Sequence, residues 1–275
     1  MDGDAMERAA EILAELRVRP EFRLNALPDE ATPPTIDEAY DIQELVHDRL
    51  RGRGLGEVIG HKLACTTRVM QQRIGIDHPC PGGVFANRVY QGHVDIPRAT
   101  AFRAMGCENE ICVVMGTATR PEDAPFSAAH IRDRTEALMT CMEIGHSRYT
   151  YDEETRKNDA RTIVADDSWG WGCVLAEPVT DWQSLDLSRL VARTILNGEV
   201  IGEGYGDLPL GDPFAAVAWL DGQRRAHPPL RIRALPRGPG RHLEAAAHAP
   251  LFDLDALDLA RELDLSLGLR ADRDS

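Results

Sequence analysis

Glu108 and Glu110 stand two residues apart in the run Cys107-Glu108-Asn109-Glu110-Ile111-Cys112-Val113-Val114-Met115. That run predicts a strand, and residues i and i+2 of a strand point to the same face. Both carboxylates then share a face with Cys112 and Val114, while Ile111, Val113 and Met115 take the other. Neighbouring carboxylates repel unless a cation lies between them. A divalent ion meets that need, and hard oxygen ligands suit Mg²⁺, Mn²⁺ or Ca²⁺. A solvated sheet face is the plainer account of the pair, and pattern alone favours it. Glu143 shifts the balance, because it interrupts the apolar stretch Leu138-Met139-Thr140-Cys141-Met142-Glu143-Ile144-Gly145. A carboxylate there needs a sheet edge or a partner, and a third oxygen ligand beside the first two would supply the reason.

Lys62 breaks a second strand-like run, Val58-Ile59-Gly60-His61-Lys62-Leu63-Ala64. It is either an outward residue that snorkels to water or a cation aimed at a substrate carboxylate or an acid–base group. Asp166-Asp167-Ser168 follows Ile163-Val164-Ala165 and reads as an Asx-type turn or as a polar rim that positions water. His61, His78 and His146 are further candidates, although single histidines are more often structural or on the surface. HExxH, GxSxG and phosphate-loop patterns are absent from the sequence. Gly202-Glu203-Gly204-Tyr205-Gly206 lacks the dinucleotide fingerprint.

Elements must hold these groups in place. Helical periodicity covers residues 5–18, and Thr35 with Glu38 predicts a capped second helix, ended by Gly52, Gly54 and Gly56. A short helix is expected from Thr67 to Ile74, and a loop over 75–83, which holds three Gly and two Pro. Val84-Phe85-Ala86 and Val89-Tyr90 read as short strands. Residues 127–141 predict an amphipathic helix that runs directly into a strand, Cys141 to Ile144. The charged stretch 152–161 suits an exposed loop or lid. Residues 163–176 go from a polar cluster into an apolar strand. Asn197-Gly198 signals a hairpin, and a helix begins at Pro213. Pro and Arg cluster through 223–241, and 253–267 fits either a helix or a strand.

The chain has 275 residues, 43% of them apolar and 28% charged, which is ordinary for a globular protein. Its length allows a sizeable core, and no stretch approaches ~20 uninterrupted apolar residues. With 31 Lys and Arg against 45 Asp and Glu, the formal charge is −14. Such a surface argues against nucleic acid as a partner, and no membrane partner is expected. Six cysteines are dispersed without a CxxC pair, which argues against a cysteine zinc site. With the acidic N-terminus, they suggest a cytoplasmic protein whose thiols pack as small apolar groups.

In their order along residues 8–220, these pieces resemble a known family. They look like the 2-keto-4-pentenoate hydratase and 2-oxo-3-hexenedioate decarboxylase branch of the fumarylacetoacetate hydrolase superfamily. The resemblance is carried by Asp37-Glu38-Ala39-Tyr40 with Gln43, by Gly60-His61-Lys62-Leu63, and by Gln72 to Pro79. It continues through Glu108-Asn109-Glu110-Ile111, Met142-Glu143-Ile144, Val164-Ala165-Asp166-Asp167 and Gly211 to Leu220. No single motif decides it; their order does.

The resemblance implies an α+β fold, a mixed β-roll with flanking helices. It divides into a helical N-terminal segment over 1–56 and a metal-binding β-roll domain over 57–275. It further implies a homo-oligomer and Mg²⁺ or Mn²⁺ on Glu108, Glu110 and Glu143. Lys62 and Asp166 would be catalytic, and Lys62, Asp167, Ser168 and Trp169 would line the substrate. The substrate would be a small 2-oxo or 2-hydroxy-dienoic acid, chelated through its carboxylate and 2-oxygen. Three glutamates and one divalent ion leave a net −1 before Lys62 is counted, and Lewis acidity would stabilise an enolate. A hydratase that adds water to a dienoate is the leading expectation. Decarboxylation of a 2-oxo-enedioate comes second, because the metal does the same work in both. Acylpyruvate C–C hydrolysis and a catalytically silent partner subunit are further alternatives. Three departures from the family stand out. Cys80 replaces an acid after Pro79, Trp169 replaces a small residue, and the segment 223–275 lacks the expected strand.

Overall fold

The computed structural model describes residues 1–19, 22–95, 105–117, 119, 124–146, 148–149, 160–196, 198–223 and 242–245. Two helices lead the chain, α1 (Gly3–Val18) and α2 (Ile36–Leu50). Asp2 caps α1 by accepting from the Ala5 N–H. Thr35 caps α2 by accepting from the Glu38 N–H, and its hydroxyl donates to the Glu38 carboxylate. The predicted capping residue is therefore the observed one. Leu13, Leu16, Ile42, Val46 and Leu50 form the buried stripe of the pair. The same apolar cluster takes in Cys65, Cys80, Phe85 and Val164, so the helices pack directly on the strands that follow.

Those strands are β1 (Val58–Ala64) and β2 (Cys80–Phe85), joined through α3 (Arg68–Ile74), a short helix as expected, whose N-cap is Thr67. The loop expected over 75–83 stops at Pro79, since Cys80 to Gly83 belong to β2. Antiparallel pairing with β1 sets Lys62 opposite Gly82 and His61 opposite Gly83. Glycine is needed there for close approach. A Cβ on Gly83 would lie 2.8 Å from His47 Cε1, and one on Gly82 would lie 3.0 Å from Asp167 Oδ1. The residues that read as a turn are thus two narrow points in a strand.

After β3 (Val89–Gln91) come β4 (Met105–Met115), α4 (Ala128–Arg134) and β5 (Thr135–His146). The amphipathic helix expected over 127–141 ends at Arg134, and strand takes over at Thr135. The cause is tertiary: β5 pairs with β4 from Thr135 to His146, and that ladder overrides local helical periodicity. Next are α5 (Ala160–Ala165), which leads into the turn at Asp166-Asp167-Ser168, and β6 (Gly170–Leu175). The hairpin β7 (Val191–Leu196) and β8 (Glu199–Tyr205) matches expectation, as does α6 (Pro213–Gln223). The lid reading of 152–161 falls outside the described residues up to 159. So does the reading of 253–267.

Among the described residues, seven strands form one mixed sheet in the order β2-β1-β9-β4-β5-β6-β3. The third strand in that order, β9 (His242–Ala245), lies parallel to β1 and antiparallel to β4. Sequence patterning gave no sign of a strand there. The protein is α+β, with helices gathered at the N-terminal end and on the sheet's faces.

Candidate metal and substrate site

Sheet register assembles the acidic cluster. Glu108 of β4 pairs directly with Glu143 of β5, and Glu110 pairs with Cys141 one step along the same face. Directly opposed residues in an antiparallel pair bring their side chains within ~5.5 Å. Ligand oxygens of Glu108, Glu110 and Glu143 accordingly lie within 4.8 Å of one another. All three are buried, at 5%, 4% and 8% exposure, so the solvated-face reading of Glu108 and Glu110 does not hold. Glu110 and Glu143 line a cavity together with His61 and Lys62 of β1.

Lys62 is buried and aimed inward. Its Nζ lies 2.8 Å from Glu143 Oε1 and donates to the Ser168 carbonyl at 2.8 Å. Burial works against its charge, yet Glu143, with Glu108 and Asp167 behind it, holds the ammonium above its ordinary pKa. It does not snorkel to water.

Asp166 to Trp169 form the turn between α5 and β6. Asp167, Ser168 and Trp169 all adopt positive φ, at 60°, 48° and 62°. Non-glycine residues persist there only when their surroundings hold them. Asp166 accepts from Arg148 Nε at 2.8 Å and from the Tyr149 hydroxyl at 2.9 Å. Asp167 accepts from Arg17 at 3.1 Å and from the Gly83 N–H at 2.7 Å, and its Oδ1 lies 2.9 Å from His47 Nε2. Burial opposes the charge of Asp167, but His47, Arg17 and the Gly83 N–H outweigh it and hold the carboxyl well below its usual range. Arg17 and Arg148 also donate to the Asp166 and Gly170 carbonyls.

The expected site residues thus fall into two groups. Glu108, Glu110, Glu143 and Lys62 come together. Asp166 and Asp167 face the helices, Trp169 packs against the α1–α2 core, and Ser168 meets Lys62 through its backbone oxygen. Of the three histidines singled out, His61 lines the cavity and His78 stacks on Trp219. His146 is buried, and burial with the nearby Arg148 pushes its pKa down. Arg17, His47 and Arg148 were missed. A signal for the first two existed: each places a titratable group within or beside the apolar stripe of its helix. Cys80 is buried among apolar residues, and a hydrogen bond with Cys65, together with burial, raises its pKa far above the usual value.

Three buried carboxylates gather around one point, on a mixed sheet behind a helical pair, as the resemblance to the fumarylacetoacetate hydrolase superfamily implies. The fold agrees. The solved structure of 4-oxalocrotonate decarboxylase from Pseudomonas putida G7, complexed with magnesium and adipate, superposes with a TM-score of 0.73. The overlap covers 92% of this chain and 91% of that one at 21% identity. Sequence narrows the placement: this chain belongs to the 2-keto-4-pentenoate hydratase / 4-oxalocrotonate decarboxylase branch. It is 30% identical to the 2-keto-4-pentenoate hydratase of Burkholderia vietnamiensis strain G4 over 194 residues, 70% of this chain and 71% of the relative. It is 28% identical to the enzyme of the same name from Paraburkholderia phymatum over 82% of this chain and 84% of that one. No family model matches the chain. No helix among the described residues is long and apolar enough to cross a membrane.

Proposed function

We propose that this protein is a divalent-metal-dependent hydratase acting on a small 2-hydroxy-dienoic or 2-oxo acid. The convergence of Glu108, Glu110 and Glu143 in a buried cavity with Lys62 carries the reading. Three carboxylate oxygens this close fit a hard divalent ion such as Mg²⁺ or Mn²⁺ and poorly fit a soft one. When bound, such an ion supplies Lewis acidity to a 2-oxo acid and charge balance to the glutamates.

The chain's own residues do the rest. A lysine ammonium has three donors. Glu143 and the Ser168 carbonyl engage Lys62 from two directions, and the third donor is assigned to the substrate. There it orients the carboxylate or delivers a proton. Asp166 and Asp167 act by holding the strained turn that presents the Ser168 carbonyl. The cavity is lined by β2 at one end of the sheet and by β6 near the other. A flat sheet cannot do that, and such a curl fits the β-roll that the resemblance implies. The names of the sequence relatives favour hydration over decarboxylation, which would use the same groups.

The test is turnover of 2-hydroxypenta-2,4-dienoate with and without Mg²⁺, with product and CO₂ both measured. Metal-dependent water addition without CO₂ is expected, with Glu110→Gln at least about a hundredfold less active, as befits a lost ligand. CO₂ release moves the reading to decarboxylation. Full activity of Glu110→Gln overturns the ligand assignment.

A further inference from the structure

The hairpin β7–β8 and the turn after it carry most of the large apolar side chains left open to solvent. Of the eight such side chains exposed among the described residues, six lie between residues 191 and 210, and only Phe22 and Val69 lie elsewhere. Apolar side chains gathered into one patch mark an interaction site, whereas scattered ones do not.

The register shows that the patch is one face. Val191 pairs with Tyr205, Arg193 with Glu203 and Ile195 with Val200. Alternation puts Val191, Arg193 and Ile195 on one side of β7, and Glu203 and Tyr205 on the same side of β8. Val200 stands three residues before Glu203 and by alternation alone would point the other way. The register shift between Thr194 and Ile195 inserts Ile201 as an extra residue in β8, which turns Val200 back to this side. Exposure agrees: Val191, Ile195, Val200 and Tyr205 are 41%, 56%, 54% and 50% exposed. The opposite side of the hairpin is already occupied, because Thr194 is buried there and accepts from the Asn109 side chain of β4 at 2.7 Å. Two strands alone make a marginal sheet, and covering their apolar face is favourable.

The order of the rows says what fits. The charged row lies between two apolar ones, with Arg193 Nε 2.7 Å from Glu203 Oε1. A two-fold axis along the hairpin, midway between its strands, lays β7 of one copy over β8 of the other. Arg193 then meets the partner's Glu203, Val191 the partner's Tyr205, and Ile195 the partner's Val200. A guanidinium has five donors, enough for a carboxylate in its own chain and one across the axis. An axis across the strands would set Arg193 against the partner's Arg193, which charge disfavours. A partner of one charge sign would leave half of the charged row opposed by its own sign. We infer that this face docks a second copy of the chain in an isologous sheet-on-sheet contact.

Sedimentation of the full chain across the micromolar range tests this. The natural protein is expected to be a dimer or an assembly of dimers. Arg193→Glu and Glu203→Arg each set like charges against one another across the axis, so each variant alone should associate at least about tenfold more weakly. Mixed in equal amounts, the two variants bring opposite charges together at both contacts, and the mixture should regain the natural mass. A role of the Arg193–Glu203 pair confined to its own chain cannot give that rescue. If either variant does not fold, Ile195→Ser takes its place and should also weaken association at least about tenfold. A monomeric natural protein, or association that these substitutions leave unchanged, overturns the inference. Weakening in both charge variants without rescue on mixing overturns it as well.

Discussion

Two groups of buried carboxylates lie on either side of Lys62, and they are built differently. Asp166 and Asp167 sit in a turn and receive Arg148, Tyr149, Arg17, His47 and the Gly83 N–H. Glu108, Glu110 and Glu143 sit on two paired strands and converge on one another. In the first group Asp167 meets Arg17 and His47 from the helices packed over it, and Asp166 meets Arg148 from the segment after β5. The second concentrates negative charge where water is scarce. The turn carboxylates are satisfied by the fold, whereas the strand carboxylates converge on a point that could hold a metal ion. Lys62 joins the two, with one hydrogen bond to the turn and an ion pair to the cluster.

Breaking the first group should cost most. Asp167→Ala leaves Arg17 buried without its carboxylate, and loss of one partner of a buried pair costs about 3–5 kcal/mol. Denaturant unfolding should show that loss. Substituting a member of the second group should do the opposite. Glu110→Gln removes repulsion, so the metal-free protein is expected to be at least as stable as the natural one.

The next effect sharpens the same contrast. Mg²⁺ at a hundred times its dissociation constant should stabilise the natural protein by about 2.7 kcal/mol, seen as a rise in Tm. Asp167→Asn, if it folds, should keep that rise, and Glu110→Gln should lose it. A rise retained in Glu110→Gln would place the ion elsewhere.

The smallest effect at neutral pH concerns acid. The folded-state pKa of Asp167 is depressed, so its contribution is fully present above the unfolded value, near pH 4. It is lost as pH falls from there through the folded value. Natural protein should therefore lose stability steeply below about pH 4, and Asp167→Asn should show a shallower acid limb. Equal slopes would remove Asp167 from the balanced group.

The carboxylate site was legible because strand alternation is local. Two glutamates at i and i+2 share a face whatever the rest of the chain does, and Glu143 stood out against apolar neighbours. Capping at Thr35 was legible for the same reason, since that cap involves residues only three positions apart. The strand at Cys80 was hidden because Pro81, Gly82 and Gly83 are ordinary turn residues. Their reason lies in His47, Lys62 and Asp167, which are near only in space. The helix expected over 127–141 failed because pairing with β4 outweighs a periodicity confined to its own residues.

Sequence alone determined which acids share a face and where helices begin, because those properties depend on backbone geometry over a few residues. Only the tertiary structure decided which acids are paired and which cluster. Arg17 and Asp167 stand 150 residues apart, and no local pattern encodes their contact. Burial decides the rest: it makes an isolated charge costly, so Asp167 meets Arg17 and Glu143 meets Lys62 from distant parts of the chain, while the three glutamates converge where a cation could balance them.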